Sequence, residues 1–241
     1  MYWTNIKNKY NHLRNLRILR KSKDNHTHPL KSFDDLECIF IHIPKCAGVS
    51  INKSLFGNLG GGHLTLKDYR FIFGKKKFDG YFKFTIVRNP WDRVVSAFHF
   101  LKKGGMNYAD KEWADNNLSN YKDFDTFIKK WLNKENIFKY HHFRPQYHYI
   151  CLKKNKIGVD FVGYIENINS DFEYISNKIN IGTKLRQTNQ SPRENYVKYY
   201  SEETKDIVAN VYKGDIKLLG YDFDNSSNSN QINVRDNNIL I

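Results

Sequence analysis

Short apolar runs and stretches of helical periodicity alternate along the middle of the chain. A β-branched and aromatic run from Cys38 to Ile43 ends at Pro44, and a second run covers Tyr81 to Val87. Runs that stop at turn residues in this way predict buried strands. The segment Ser50 to Phe56 follows the first run and has a helical pattern that ends at Gly57. After the second run, one face of a predicted helix carries Val94, Ala97, Phe98 and Leu101.

The same alternation continues towards the carboxyl end. The pattern predicts a strand near Phe161 to Ile165 and helices near Phe124 to Leu132, Phe172 to Ile179 and Glu202 to Tyr212. Strands that alternate with helices, without an internal repeat, predict one α/β domain built around a mainly parallel sheet. Sheets of this kind bind ligands beyond the carboxyl ends of their strands. The turns after the first two strands are therefore the places where we expect the chemistry.

The two ends of the chain differ from this pattern. Residues 1–31 contain eight Lys or Arg and the single acid Asp24, so we interpret them as a basic N-terminal arm. Apolar residues recur in the arm at helical spacing, at Trp3, Ile6, Tyr10 and Leu13. This spacing predicts a short amphipathic helix. The helix either packs with its basic face in solvent or lies on a membrane surface or a partner. Residues 224–241 are rich in Asn and Ser and predict a flexible tail, which leaves 32–223 as the folded domain.

Composition restricts the function before any motif is considered. The chain has 241 residues, of which 40% are hydrophobic and 15% aromatic, so a disordered polymer is excluded. Its 39 Lys and Arg exceed its 25 Asp and Glu, which gives a formal net charge of +14. A charge of this sign points to an anionic partner. Nucleic acid, acidic glycan, anionic lipid and a phosphorylated cofactor all meet that requirement.

The cysteines and the apolar runs bear on the compartment. Cys38, Cys46 and Cys151 match no metal-binding spacing, and an odd number cannot all pair within one chain, so we expect reduced thiols. The longest apolar run is far shorter than the roughly 20 residues that a membrane-spanning helix needs. We therefore expect a cytoplasmic protein without a transmembrane segment.

The first candidate anion site follows the first predicted strand, where the sequence reads IFIHIPKCAGVS. A helix N-terminus leaves backbone amides without intrahelical partners, and these amides can bind a phosphate or sulfate oxygen. Lys45 adds a full positive charge, Gly48 allows close approach of the backbone, and Ser50 adds a hydroxyl donor. The lysine precedes the glycine by three residues, so this is not a Walker A loop. The alternative is a plain strand-to-helix turn with a surface lysine. The candidate anion contacts are Pro44, Lys45, Cys46, Ala47, Gly48, Val49 and Ser50.

The second candidate site follows the second predicted strand, where the sequence reads FTIVRNPWDRVVSAF. Arg88 leaves the strand end and Ser96 lies on the following helix, so the two side chains can converge on one anion. The alternative is that Arg88 pairs with Asp92 while Ser96 caps the helix or faces solvent. Two anion-binding turns on parallel strands suit a nucleotide with phosphate groups at both ends.

Together the two motifs resemble the 5′-phosphosulfate loop and the 3′-phosphate motif of sulfotransferases that use 3′-phosphoadenosine 5′-phosphosulfate (PAPS). The resemblance is to the carbohydrate branch, including the heparan sulfate 2-O type, and covers about residues 37–223. Three further segments support it: FRPQYHYI, FVGYIENINSDF and SPRENYVKYYSEETKDIVANVYKGDIKLLGYDF. It implies a three-layer α/β sandwich with a central mainly parallel sheet, a P-loop-like PAPS site and no metal. Cys46 departs from the threonine common in the family. The loop works mainly through backbone amides, so we expect binding to survive this change.

The resemblance also implies roles in nucleotide binding and transfer. Lys45 and the amides of Cys46 to Ser50 would hold the sulfate end and stabilise the leaving group, while Arg88 and Ser96 would hold the 3′-phosphate. His63 resembles the histidine base of the heparan sulfate 2-O branch, and its alternative role is to fix a loop through a backbone hydrogen bond. Ser191 and Arg193 are two further candidates for nucleotide binding. They belong to a loop that either covers the nucleotide or is simply solvated.

Acceptor contacts are expected after residue 140. His141 and His142 are candidates, as are Arg144 and Gln146, whose alternative is an internal hydrogen-bond network. The expected partner is a hydroxyl-bearing acceptor such as a glycan or polysaccharide, not nucleic acid, and the basic arm offers a peripheral membrane contact. Two other functions stay open: an atypical nucleotide phosphotransferase, and a non-catalytic basic module that binds anionic glycan or nucleic acid.

Overall fold

The computed structural model describes residues 2–22, 28–60, 62–153, 156–186 and 194–226, with side chains from Lys7 onward. The predicted loop residues Ser191 and Arg193, and residues 227–241 of the predicted tail, lie outside this set. The described residues form two compact units, each taken from several parts of the chain. Unit 1 draws on Met1–Ile43, Ala47–Ile86 and Tyr149–Asn189, and unit 2 draws on Pro44–Cys46, Val87–His148 and Gln190–Ile241.

Helices predominate over strands in number. The helices are α1 (Tyr2–Lys21), α2 (Lys31–Asp35), α3 (Gly48–Phe56), α4 (Leu66–Phe73), α5 (Lys75–Gly80), α6 (Pro90–Lys102), α7 (Tyr108–Asn117), α8 (Phe124–Lys130), α9 (Tyr147–Ile150), α10 (Ile168–Lys178), α11 (Glu202–Val211) and α12 (Lys213–Leu219). The strands are β1 (Cys38–Ile41), β2 (Phe82–Val87), β3 (Cys151–Lys153), β4 (Lys156–Ile157) and β5 (Phe161–Tyr164). No helix among the described residues combines the length and the apolar character needed to span a lipid bilayer.

A central parallel sheet has the strand order β1-β2-β5 and is flanked by helices. Strands β1 and β2 run parallel, with Cys38 opposite Phe82 and Ile41 opposite Thr85. All four residues of β1 and of β5 are buried, as expected of a sheet covered on both faces. Strands β3 and β4 form a small antiparallel pair. The predicted α/β fold with a central, mainly parallel sheet is confirmed.

The elements that lead into the two anion motifs lie close to their predicted positions. Strand β1 ends at Ile41, two residues before the end of the apolar run, and α3 begins at Gly48, two residues before the predicted start. Helix α3 ends at Phe56, and the following residue, Gly57, has a φ of 67° in the left-handed region that favours glycine. Helix α6 begins at Pro90, where a residue without a backbone N–H removes no hydrogen bond.

Helix α1 is longer than the short helix predicted for the basic arm, and it packs on α4 within unit 1. Lys9 forms an ion pair of 2.9 Å with Asp68, and the ring of Tyr10 meets the ring of Phe71 edge-on. Leu13 is buried, while Tyr10 stays half-exposed. The contact therefore uses part of the predicted apolar stripe together with basic residues of the same helix.

Arg20 is a buried residue of α1 that binds the helix to its neighbours in unit 1. Its guanidinium forms a close ion pair with Asp34 and lies over the ring of Phe73, 4.4 Å from the ring centre. Asp34 also accepts hydrogen bonds from Lys77 at 2.8 Å and from Tyr81 at 2.7 Å. Burial acts to raise the pKa of Asp34, but the hydrogen bonds from these three partners outweigh it and lower the pKa. The carboxylate therefore neutralises a buried cation and ties three helical segments together.

Unit 2 has an aromatic core formed by helices α6, α8 and α11 and the segment around Phe143. The ring of Phe98 lies 5.1 Å from that of Phe127, and the ring of Trp131 lies 4.9 Å from that of Phe143. The indole nitrogen of Trp91 donates to the carbonyl of Lys205 and fixes the start of α6 on α11. Much of the high aromatic content thus serves packing.

Replacing Asp34 by Asn should lower the free energy of unfolding by about 2–3 kcal/mol, because the buried guanidinium of Arg20 would lose its counter-ion. Since the pKa of Asp34 is lowered in the folded protein, this contribution is present above the pKa of the unfolded carboxyl group and is lost as the pH falls through the folded value. Denaturant unfolding of the wild type and variant at several pH values measures the difference.

Asp79→Asn is the matched control, because Asp79 pairs with Lys75 on the exposed surface. It should leave the midpoint of denaturant unfolding almost unchanged, because an exposed ion pair contributes little to stability. Equal losses in the two variants would contradict the special role of Asp34.

Candidate functional site

The loop after β1 contains two residues in the left-handed backbone region. Lys45 has a φ of 68° and Ala47 a φ of 57°, although neither is glycine. Such residues persist where the surrounding structure holds them, and they cluster at functional sites. Ala47 precedes the helical residue Gly48, and a left-handed residue next to a right-handed one turns successive amides into an anion-binding nest. No side chain among the described residues caps α3 at Ala47.

Within unit 1, Gly48 is packed against His42. A Cβ atom at position 48 would stand 1.9 Å from the Cδ2 and Nε2 atoms of the imidazole. Buried Asn52 donates to the Gly48 carbonyl at 2.9 Å, and its amide nitrogen lies 3.5 Å from Nδ1 of His42. The glycine predicted to let the loop approach an anion therefore also has a second use, which is to make room for the ring of His42. Val49 and buried Ser50 follow in the first turn of α3.

His63 is attached to the same part of unit 1. Its Nδ1 lies 3.1 Å from the carbonyl oxygen of His42, and the two rings are 4.4 Å apart. A carbonyl oxygen only accepts, so Nδ1 carries the proton and the neutral ring has its lone pair on Nε2. This is the loop-fixing bond that the sequence offered as the alternative role of His63. It also produces the tautomer in which Nε2 can accept a proton.

Within unit 2, the two anion motifs are in direct contact. The Nη1 atom of Arg88 donates to the carbonyl of Lys45 at 3.0 Å, and its Nε donates to Asp92 at 2.7 Å. The described residues supply no hydrogen-bond acceptor for Nη2 of the same guanidinium. The ammonium of Lys45 lies 3.5 Å from the centre of the Phe100 ring. Arg88 thus forms the predicted alternative pair with Asp92 and keeps its Nη2 group for a further partner.

One face of α6 carries the partners of both cations. Asp92, Ser96 and Phe100 lie at successive turns of this helix and therefore share a face. Asp92 binds Arg88, Phe100 underlies Lys45, and Ser96 lies between them. The partners at the two ends are about 12 Å apart along the axis, by the helical rise per residue. This face therefore sets Ser96 between the two predicted anion contacts.

Gln146 links the two motifs. It is fully buried, its Oε1 accepts from the backbone amide of Arg88 at 3.0 Å, and its Nε2 donates to the Arg88 carbonyl at 2.8 Å. The thiol of buried Cys46 lies 3.5 Å from the same Oε1 and 3.7 Å from the carbonyl of Pro44. Gln146 therefore takes part in the internal hydrogen-bond network that was the alternative to acceptor binding.

Two residues that the sequence analysis missed hold the segment around Gln146. Fully buried Arg93 donates to the carbonyls of His142 at 3.0 Å and Arg144 at 2.8 Å. Asp215, also fully buried, accepts from the backbone amide of Gln146 at 2.8 Å. Burial raises the pKa of Asp215, and the charge of Arg93 and the amide hydrogen bonds offset part of the rise. In the sequence, the indication of this buried role is that an arginine occupies a core position of α6, between Trp91 and Val94.

The residues predicted to contact the acceptor substrate lie in unit 2 and differ in their exposure to solvent. His142 is buried, and its Nε2 lies 3.2 Å from a carboxylate oxygen of Asp110. Burial lowers the pKa of His142, although Asp110 acts in the opposite direction. His141 is half-buried beside it, with 4.2 Å between the ring centres. Half-buried Arg144 donates to the carbonyl of Phe138 at 3.2 Å.

Comparisons with known proteins identify a family and a relative of this chain. The sequence model of a family described as the sulfotransferase family matches residues 28–222. A protein of Archaeoglobus fulgidus, described only as uncharacterized, is 35% identical over 127 residues, which cover 52% of this chain and 90% of the relative. No solved structure matches the chain.

Replacing Gly48 by Ala should lower the free energy of unfolding by about 1–3 kcal/mol, because the new methyl group would overlap the imidazole of His42. Removing that ring should relieve the overlap, so the same change made in a His42→Ala background should cost much less. Chemical denaturation of the four members of this double-mutant cycle gives the coupling.

Gly80→Ala is the control for the glycine substitution. Nothing lies within 4 Å of a Cβ at Gly80, so its replacement should change stability by less than about 0.5 kcal/mol. A Gly48→Ala protein as stable as the wild type would contradict the close packing of His42.

Proposed function

The chain belongs to the sulfotransferase family, and from this premise we propose that it transfers a sulfuryl group from PAPS to a hydroxyl group of a carbohydrate. The observation that carries the proposal is the hydrogen bond from the guanidinium of Arg88 to the carbonyl of Lys45. It joins the two motifs that are predicted to bind opposite ends of one nucleotide with phosphate groups at both ends. Neighbouring parallel strands already bring these two turns to one edge of the sheet, and this bond fixes the arginine of one turn on the backbone of the other.

The residues present suit such a nucleotide. The nest at Ala47 and Gly48 and the start of α3 offer backbone amides to the sulfate end, and Lys45 adds a positive charge. The Nη2 atom of Arg88 and the hydroxyl of Ser96 are the donors proposed for the 3′-phosphate. Gln146 acts as a positioning residue, because it holds the backbone of Arg88 on both sides. The predicted loop contacts Ser191 and Arg193 stay a prediction.

PAPS supplies the sulfuryl group, and the acceptor oxygen bonds to sulfur as the bond from sulfur to the 5′-phosphate oxygen breaks. Nε2 of His63 takes the proton of the acceptor hydroxyl, which the Nδ1–H tautomer allows. Lys45 stabilises the negative charge that develops on the departing phosphate oxygen. The leaving group is 3′,5′-adenosine diphosphate.

The acceptor is proposed to be a glycan on the basis of motif resemblance and charge. The formal net charge of +14 favours acceptors that are already anionic. His141 and Arg144 are half-buried and so can reach a bound sugar. Buried His142 is better suited to hold His141 and the following segment in position.

Arg88→Ala should weaken the binding of 3′,5′-adenosine diphosphate at least about 10-fold, because the 3′-phosphate would lose a charged donor. Ser96→Ala should weaken it less, since it removes one neutral donor and leaves the bonds of Arg88 to Lys45 and Asp92 intact. Isothermal titration calorimetry measures both affinities, and circular dichroism checks the fold of each variant.

Adenosine monophosphate is the matched ligand for this test. The wild type should prefer the diphosphate, and Arg88→Ala should bind the two nucleotides with similar affinity. Equal affinities in the wild type would remove the 3′-phosphate role of Arg88 but leave family membership unaffected.

His63→Ala should lower the turnover number at least about 100-fold, the usual effect of losing a general base. The affinity for 3′,5′-adenosine diphosphate should stay within about twofold of the wild type, because His63 contacts the reacting proton and not the nucleotide. Sulfate addition to a panel of glycans, measured by mass spectrometry, gives the rates.

Controls separate this function from its alternatives. His148→Ala changes an exposed histidine and should leave turnover unchanged, whereas Lys45→Ala should abolish transfer in a folded protein. Unchanged turnover in His63→Ala would assign the base to another residue. Glycan binding that falls steeply with salt and does not depend on Lys45, without any transfer, would indicate a non-catalytic basic module.

A further inference from the structure

Three potential metal ligands of unit 2 converge outside the two anion motifs. A carboxylate oxygen of Asp110, at the start of α7, and one ring nitrogen each of His141 and His142 all lie within 4.8 Å of one another. Asp110 is 2% exposed and His142 is 5% exposed, while His141 is half-buried. Carboxylate and imidazole together form the ligand set of many zinc sites.

The separations suit a small divalent ion. Tetrahedral zinc with bonds of about 2.0–2.1 Å places its ligand atoms about 3.3 Å apart. Nε2 of His142 and Oδ1 of Asp110 already lie 3.2 Å apart. The third ligand atom would have to move by about 1.5 Å at most to reach the same separation. It belongs to His141, the most exposed of the three.

Hydrogen bonds from neighbouring groups hold the carboxylate of Asp110 in position without using all of its acceptor sites. The backbone amide of Met106 donates to Oδ2 of Asp110 at 2.9 Å, and the hydroxyl of Tyr140 lies 2.5 Å from Oδ1. Burial acts to raise the pKa of Asp110, but hydrogen bonds from His142, Tyr140 and Met106 hold it well below its usual range. Arg93 fixes the backbone of His142 through its carbonyl. Partners of this kind, one step removed from the ion, orient metal ligands and raise affinity.

We propose that Asp110, His141 and His142 bind a divalent transition-metal ion, with zinc as the best match to the ligand set. Oδ1 of Asp110 and Nε2 of His142 exchange their direct hydrogen bond for bonds to the ion, and His141 closes the third side. The hydroxyl of Tyr140 or a water molecule completes a four-coordinate shell. The ion would connect the start of α7 to the segment that carries Gln146.

Two cations set the strength of this site. The charges of Lys45 and Arg93 act on His142 and oppose a second positive charge beside it. We therefore expect an ion that a chelator removes, not one held permanently. Sulfuryl transfer by Lys45, Arg88 and His63 needs no metal, and a bound ion would occupy His141 and leave the acceptor contact to Arg144.

The test uses the full chain after treatment with a chelator. Titration with zinc chloride in a calorimeter should show about one ion bound per chain, and zinc should raise the melting temperature. Cobalt chloride should produce the visible absorption bands of a tetrahedral nitrogen and oxygen site. His141→Ala should weaken zinc binding at least about 10-fold, and Asp110→Asn should do the same if it folds.

The control variant is His148→Ala, which removes an exposed histidine from the same region and should leave zinc affinity unchanged. Zinc binding that is equal in His141→Ala and the wild type would overturn the proposal, as would no binding to the wild type. A sulfur-to-cobalt charge-transfer band would also overturn it, because it would assign the ion to Cys38, Cys46 or Cys151. His141→Gln gives a second variant if His141→Ala is unstable.

Discussion

The arrangement of the candidate site depends on one charged hydrogen bond, from the guanidinium of Arg88 to the carbonyl of Lys45. Lys45 has a backbone conformation that non-glycine residues rarely adopt, and such a conformation persists only when its surroundings favour it. Arg88 is in turn held by Asp92 through its side chain and by Gln146 through its backbone. The geometry of the loop is therefore determined by residues more than 40 positions away in sequence.

Much of this could be predicted from sequence, because the deciding signals were local. The buried runs of β1 and β2, the breaks at Pro44 and Pro90, and the spacing of Arg88 and Ser96 all lie within short segments. The predicted boundaries differ from the observed ones by a few residues, since the apolar pattern does not mark where a strand turns into a loop. His42 is an example: it continues the apolar run but leaves the strand to pack on Gly48.

The missed features depend on contacts between distant residues. Arg93 and Asp215 are separated by 122 positions, and only the fold brings both to the segment around Gln146. Asp110 was not singled out in the sequence, and its burial against His142 depends on a contact with a residue 32 positions away. Helix α4 did have a local signal, since Thr65 and Asp68 form a capping box, but its mixed apolar pattern obscured it.

Helix α1 has a consequence for the boundaries of the folded protein. The segment recognised as the family begins at residue 28, whereas α1 ends at Lys21. Yet α1 covers Phe71 and Phe73 of α4 and provides the arginine that neutralises Asp34. A chain cut to the family segment would expose these rings to water and leave Asp34 with only Lys77 and Tyr81 as partners. The packing of unit 1 thus includes a helix that precedes the recognised homology.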